Sequence, residues 1–304
     1  MIGIIIMKTI VTTTISGLTE ATIKFSEMKD WKFIVVGDKK TPHDEYKDID
    51  CHYMSPEEQA DKYPSLSDAI GWNSIQRRNI GFVEAYNSGA SVVATVDDDN
   101  IPYDGWGTNL LVDKTIDANC WESKNGVFDP LSVTQHNSLW HRGYPLSLVD
   151  TKNDINCIGV RSRRVLVQAD LWDGDPDVDA IARILYSPEV KFDSSIEPYF
   201  SNNISPFNSQ NTFLSREVIP YYMVLPHCGR MDDIWGSYIL QNRFPDSVVY
   251  SKASVYQKRN PHDLVLDMEK EIIGYRNTLD LIRGTYQLPN NISHAYELYQ
   301  NSFF

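Results

Sequence analysis

Val92–Pro102 reads VVATVDDDNIP, an apolar run that stops at three consecutive aspartates. Val92–Val96 is short, rich in β-branched residues and free of charge, the pattern of a strand buried on both faces of an α/β sheet. Asp97, Asp98 and Asp99 then fall at the strand's carboxyl end. Open α/β sheets bind ligands along that edge, and clustered carboxylates are the hard ligands that Mg²⁺ and Mn²⁺ prefer. A divalent ion held there bridges to a diphosphate. The same residues, closed by Asn100 and Pro102, also suit a plain polar turn after a strand, so the surrounding chain has to decide.

Upstream, the opening MIGIIIMKTIV and the β-branched alternation of Lys8–Ile15 read as a first strand ending at Ser16-Gly17. Glu20–Met28 suits one short amphipathic helix, and Trp31–Val36 makes the next strand, stopping at Gly37-Asp38. This is a βαβ unit, in which an acid just past the second strand accepts hydrogen bonds from a base or ribose. A turn aspartate is the other reading of Asp38. Residues 43–65 are polar, carry Pro56 and Pro64, and read as irregular. Ser74–Ser88 reads as a helix with Gln76-Arg77-Arg78-Asn79 near its start. Two arginines one helix before the aspartate strand suit an anionic diphosphate, or equally surface salt bridges.

Downstream of Pro102 the chain turns aromatic and loop-rich, with Gly105-Trp106-Gly107, Trp121, Trp140 and Tyr144-Pro145, as in a second half that builds a substrate surface. Those tryptophans either stack on sugars or fill the core. Asp170–Asp179, DLWDGDPDVD, holds five acids in ten residues, with Pro176 and Asp177 placed to start a helix over Val178–Leu185. Its acids lack the spacing of an EF-hand calcium loop. Ser205–Phe213, SPFNSQNTF, is dense in amides that hydrogen-bond hydroxyls or make an Asn-rich turn. Pro226–Tyr238, PHCGRMDDIWGSY, sets paired acids before an aromatic helix start, where acids also cap the helix dipole. Arg259–Met268, RNPHDLVLDM, leads into a long final helix to about Leu281.

With 304 residues, 42% of them hydrophobic and 23% charged, the chain is long enough for a substantial core. A net charge of −13 removes the basic footprint that binding to nucleic acid requires, so any phosphate contact has to be local. Cys51, Cys120, Cys157 and Cys228 form no CxxC pair, which suggests neither a zinc site nor a disulfide framework and favours a reducing compartment. The apolar opening breaks at Lys8, too short for a membrane span and without the basic region of a signal peptide. A soluble cytoplasmic protein is the expectation.

Six segments resemble one family in the same order along nearly the whole chain. They are Tyr63–Trp106 with RRNIGFVEAYNSGA and DDDNIP, HRGYPLSL at His141–Leu148, DGDPDVDAI at Asp173–Ile181, PFNSQNT at Pro206–Thr212, DIW at Asp233–Trp235, and RNPHDL at Arg259–Leu264. The family is the STELLO group of glycosyltransferase-like proteins. DDD and RGYPLSL are more distantly similar to plant reversibly glycosylated polypeptides, the UDP-arabinopyranose mutases. Both resemblances imply a GT-A type glycosyltransferase fold, a UDP-sugar donor, and Mn²⁺ or Mg²⁺ at the aspartates. In the mutases the arginine of RGYP is the glycosylated residue and matches Arg142, but an arginine that follows SL there is Val149 here. The cysteine that precedes DIW in the family is Asp232 here. STELLO proteins are Golgi membrane proteins with an extra domain, for which this sequence offers no anchor.

The expectation is therefore an α/β chain with a Rossmann-like mixed sheet flanked by helices, one GT-A-like domain over 1–304. Its nucleotide-sugar half would span 1–115, and its acceptor-side half, with the C-terminal helix, 116–304. Asp97 and Asp99 are the metal and ribose candidates, with Asp98 beside them on the cofactor or structural. Thr12, Thr13, Thr14 and Asp38 would hold the base; Arg77 or Arg78 with Asn79 would hold ribose or phosphate. Asp232 or Asp233 would deprotonate an acceptor hydroxyl. His262, after Asn260-Pro261, would close over the diphosphate or complete the metal shell. The partners would be a nucleotide-sugar and a glycan or other hydroxyl acceptor, with no nucleic acid and no membrane span. A UDP-sugar mutase or self-glycosylating protein using Arg142, and a catalytically silent sugar-binding or scaffold protein, are the alternatives.

Overall fold

This computed structural model describes residues 7–259 and 263–304. The expected βαβ unit opens it: β1 (Lys8–Thr14), α1 (Glu20–Ser26) and β2 (Lys32–Gly37), with the two strands parallel. The part of the first-strand reading that falls on residues 1–6 lies outside the described residues. Thr19 and Thr22 exchange side-chain to backbone hydrogen bonds, a capping box that starts α1. Residues 43–65 are not irregular. They carry β3 (His52–Met54), parallel to β2, then α2 (Pro56–Lys62) and the start of α3 (Pro64–Ile70). Pro56 and Pro64 each take the first helical position, where an N–H has no helical partner to lose and the ring's fixed φ suits the helix. A 3₁₀ turn at Ile75–Arg77 leads into α4 (Arg78–Asn87), and β4 (Val92–Val96) follows, parallel to β1.

The rest of the chain continues the same sheet. In order come β5 (Asn100–Pro102), β6 (Thr115–Ser123), β7 (Ile155–Arg164), β8 (Val167–Gly174), α5 (Ala180–Tyr186), β9 (Tyr199–Ser201) and β10 (Asn211–Ser215). After them stand α6 (Asp232–Arg243), β11 (Val248–Gln257), α7 (Leu264–Ile282) and α8 (Asn290–Asn301). The strand order is β3-β2-β1-β4-β10-β8-β11-β9-β6-β7, with β5 beside β11. β10 is antiparallel to both β4 and β8, while β11 is parallel to β8. The carboxyl ends of β2, β1, β4, β8 and β11 therefore share one edge with the start of β10. The fold class is the expected one, a Rossmann-like mixed sheet flanked by helices.

Strand residues alternate between two apolar layers. Val11, Ile34 and Val93 face the layer holding Ile80 and Phe82 of α4, while Ile10, Val35 and Ala94 face the layer holding Ala21 and Phe25 of α1. A strand covered on both faces reads as a continuous apolar run, which is why Val92–Val96 was legible. Gly81 lets α4 lie close on the sheet, since a Cβ there would sit 2.5 Å from Val11 and 2.8 Å from Val36.

The first half of the acid-rich stretch, Asp170–Gly174, is the end of β8. Two boundaries differ from expectation. α5 starts at Ala180 and not Val178, because Asp179 caps it by accepting from Ala182 N at 2.8 Å. α7 is not last, as α8 follows it. Trp106 and Trp140 are core residues, Trp106 ringed by Phe25, Trp31 and Phe213 at 5.0–5.2 Å. Among the described residues no helix is long and apolar enough to cross a membrane.

Candidate active site

At the end of β4 the chain folds back on itself, with Asn100 N donating to the Asp97 carbonyl. Each aspartate meets a different environment. Asp97 is ion-paired to Arg78, whose buried guanidinium also donates to Ser209 O and to Val96 O. Asp98 accepts from Thr14 Oγ1 at 2.5 Å and is pushed above its ordinary value by burial. Asp99 Oδ1 is buried with no hydrogen-bond partner among the described residues. Burial, and then the charge of Asp97, push the Asp99 carboxyl up to about 7.

Two cavities meet at this turn. One, of about 310 Å³, is walled by Thr13, Thr14, Ser16, Asn73, Ser74 and Arg78. The other, of about 490 Å³, is walled by Gln76, Arg142, Asp177, Asp232, Arg259 and Lys270 among others. Ile75, Asp97 and Asp99 line both. Among the described residues 11 buried side-chain polar atoms lack a partner, and six of them belong to residues that line these cavities: Ser74 Oγ, Arg78 Nε, Asp99 Oδ1, Gln257 Oε1, and Arg259 Nε and Nη2. Buried polar groups are normally hydrogen-bonded, so such a concentration marks ground prepared for a polar ligand.

The paired acids at the start of α6 divide their work. Asp233 is buried, accepts from Ser209 N at 2.9 Å, from Ser209 Oγ at 3.0 Å and from Arg142 Nη2 at 3.0 Å, and does not line either cavity. Burial raises its carboxyl, but Arg142 holds it below the ordinary value. Asp233, expected as a base together with Asp232, has its oxygens engaged by Ser209 and Arg142. Asp232 does line the larger cavity, accepting from Gln76 Nε2 at 3.0 Å and from Asp233 N at 2.9 Å. Burial and the neighbouring Asp233 charge raise it to about 8.

Arg142 also lines the larger cavity, yet its guanidinium is clamped by Asp177 at 2.7 and 3.0 Å, by Asp233, and by the Arg230 carbonyl. Burial opposes its charge, but these acids hold it protonated well above the ordinary arginine value. The guanidinium is thereby engaged by the framework on its cavity wall.

The other expected base and phosphate residues also make hydrogen bonds within the fold. Thr12 Oγ1 donates to Val96 O at 2.9 Å and Thr13 Oγ1 to Val36 O at 2.9 Å, tying strands together, although Thr13 also lines the smaller cavity. Asp38 is wholly buried and pins Ser74 N at 3.0 Å and Lys39 N at 2.7 Å, so it shapes the cavity wall without lining it. Arg77 donates to Gln59 and Ser67 and lies 3.7 Å over the Trp72 ring, away from both cavities. Asn79 clamps Val224 through both its amide and its carbonyl. Consecutive residues at a helix start point in different directions, and of the three Arg78 faces the turn. His262 lies outside the described residues. Ser209 and Arg259 were not singled out from the sequence, and Asp177 only as a helix start, though all three sit in segments that carried the family resemblance.

Among the described residues no group of three or more His, Cys, Asp or Glu side chains is arranged to hold a metal ion. What the turn offers a hard cation is the unpartnered Asp99 oxygen and the partly exposed Asp97, two oxygen donors of the kind Mg²⁺ or Mn²⁺ takes alongside substrate phosphates. That donor set fits such an ion bound jointly with a phosphate ligand.

No family model matches the chain. In sequence it is similar to the probable glycosyltransferase STELLO2 of Arabidopsis thaliana, 22% identical over 183 residues, which cover 55% of this chain and 24% of that protein. The match thus spans about a quarter of that relative's length. In structure it is similar to glucosyl-3-phosphoglycerate synthase from Mycobacterium tuberculosis in complex with phosphoglyceric acid, with a TM-score of 0.47, 11% identity, and coverage of 93% of this chain and 81% of that one. It is also similar to that synthase in complex with Mn²⁺, uridine-diphosphate and phosphoglyceric acid, with a TM-score of 0.46, 12% identity, and coverage of 93% and 80%.

Proposed function

We propose that this chain is a GT-A type glycosyltransferase that takes a sugar from a UDP-sugar, with Mn²⁺ or Mg²⁺ beside the diphosphate, and hands it to a hydroxyl acceptor. The observation that carries this reading is the meeting of two cavities at Asp97 and Asp99, on the carboxyl edge of the sheet, with a buried carboxylate oxygen left unpartnered. In this reading the nucleoside lies against Thr13, Thr14 and Ser74, and the sugar and acceptor lie in the larger cavity. Residues 1–115 supply most of the nucleotide wall and 116–304 most of the acceptor wall. When bound, the ion supplies Lewis-acid neutralisation of the leaving diphosphate. The residues of the chain then do three things. Asp97 and Asp99 hold the cation, Arg78 keeps Asp97 in place, and Asp232 takes the proton of the acceptor hydroxyl as that oxygen bonds to the anomeric carbon and the carbon–phosphate oxygen bond breaks.

UDP and cation bind together in this scheme, because a diphosphate otherwise meets carboxylates of its own sign. Calorimetry should show UDP affinity rising at least tenfold on adding Mn²⁺, about 1.4 kcal/mol, with the rise lost in Asp99→Ala. Equal UDP binding in the presence of EDTA would sink the assignment, and no UDP binding in any condition would favour a catalytically silent scaffold.

A further inference from the structure

We propose that the larger cavity contains a phosphate-binding subsite built on Arg259, and that the acceptor is a hydroxyl compound carrying a phosphate group. This rests on the donor reading above for which substrate the phosphate belongs to, but not for the subsite itself.

Arg259 follows β11 at the sheet edge and lines the larger cavity with a side chain only 5% exposed. Among the described residues its Nε and Nη2 have no hydrogen-bond partner. The other arginines of this cavity are held: Arg142 by Asp177 and Asp233, and Arg230 by Glu271 at 2.8 Å. Among the described residues Arg259 faces carboxylates that stop short of hydrogen-bonding distance, Asp175 at 3.8 Å and Asp177 at 3.9 Å. Asp177 is committed to Arg142 and Asn208, and Asp175 to Arg183. Buried guanidinium N–H groups without hydrogen bonds are costly to fold, and burial followed by the nearby charge of Arg183 weakens the group's hold on its proton. An oxyanion that accepts from Nε and Nη2 as a fork relieves both costs.

Arg259 stands on the larger cavity's side of the aspartate turn, whose Asp97 and Asp99 line both cavities. Arg259 does not line the nucleotide-side cavity, where Arg78 is the cation, and it shares its own cavity with Asp232. Exposed Lys270 stands on the same wall, a further cation on a chain of net charge −13. A phosphate has oxygens to spare for Lys270 after the Arg259 fork is filled, while the acceptor's hydroxyl extends toward Asp232.

The test is titration of inorganic phosphate into the full chain, with and without saturating UDP and Mg²⁺, for the parent, Arg259→Gln and Arg259→Lys, followed by calorimetry. Phosphate should bind the UDP-loaded parent, Arg259→Gln should weaken that binding at least tenfold, Arg259→Lys should recover part of it, and UDP affinity should stay within threefold throughout. Phosphate binding unchanged in Arg259→Gln overturns the subsite. Phosphate excluded by UDP, together with a tenfold loss of UDP affinity in Arg259→Gln, returns Arg259 to the donor diphosphate and overturns the acceptor assignment. Failure of UDP to bind while free phosphate still depends on Arg259 sinks the donor reading and leaves the subsite standing.

Discussion

Asp232 and Asp233 are adjacent and chemically identical, yet their surroundings set them to different tasks. Asp233 is a positioning residue: Ser209 donates to it and to nothing in the cavity, and Arg142 completes its shell. Asp233→Asn leaves Arg142 short of one acid in a buried network, where breaking a pair typically costs about 3–5 kcal/mol, so its Tm should fall sharply. Asp232→Asn should keep the fold and lose transfer by about 10²–10⁴-fold, the usual contribution of a general base. If the Asp232 variant transfers within threefold of the parent, the assignment is wrong. The pH dependence follows from the same geometry. Asp232 works as a base only when ionised, and with its carboxyl raised to about 8 the transfer rate should climb with pH toward a limb near 8. The sign for stability is opposite. An acid whose folded pKa lies above its unfolded value binds more protons when folded, so its contribution declines as pH rises from about 4 to about 8. Asp232→Asn should therefore melt no lower than the parent at neutral pH, as scanning calorimetry would show.

Among the elements, α4 does the most to assemble the site. It carries Arg78 to the aspartate turn from one side of the sheet, and it can lie that close only because residue 81 has no side chain. Gly81→Val should force the helix off Val11 and Val36, an overpacking cost of about 1–3 kcal/mol. Chemical denaturation would measure that cost. UDP affinity should weaken along with it as Arg78 withdraws, and a Gly81→Val protein with parental stability would refute the close-packing argument. β10 is the second such element. Running antiparallel between β4 and β8, it starts where those strands end, and this sets Ser209 between Arg78 and Asp233. One hydroxyl-bearing residue thus links Arg78 at the aspartate turn to the acids at the start of α6.

For the molecule as a whole, one sheet runs from β3 to β7 and the two cavities lie on its carboxyl edge, so a ligand spanning both should stabilise the entire chain. At about 100 times its dissociation constant a ligand adds roughly 2.7 kcal/mol. UDP should raise the melting temperature with Mn²⁺ and not with EDTA, a check independent of calorimetric binding heats. How much of this was legible in advance depended on the kind of signal. The doubly buried strands are continuous apolar runs and were visible, as was the acid cluster at the end of β4. Pro56 and Pro64 were misread because a proline starts a helix as readily as it breaks one, and local sequence does not say which.

By itself the sequence determined which residues are chemically able to act, the alternation that builds the sheet, and the edge where Asp97–Asp99 must lie, because periodicity and composition are local properties. Only the tertiary structure decided which of those residues face a cavity. Arg77, Arg78 and Asn79 are neighbours in sequence, but the helix turns one toward Asp97 and two into the framework. Asp232 and Asp233 part in the same way, one toward the larger cavity and one onto Ser209 and Arg142. Arg259 could be recognised as unpaired only once Asp175 and Asp177 were seen committed elsewhere, because the partners of a buried charge come from segments far apart in the chain and are settled by how those segments pack.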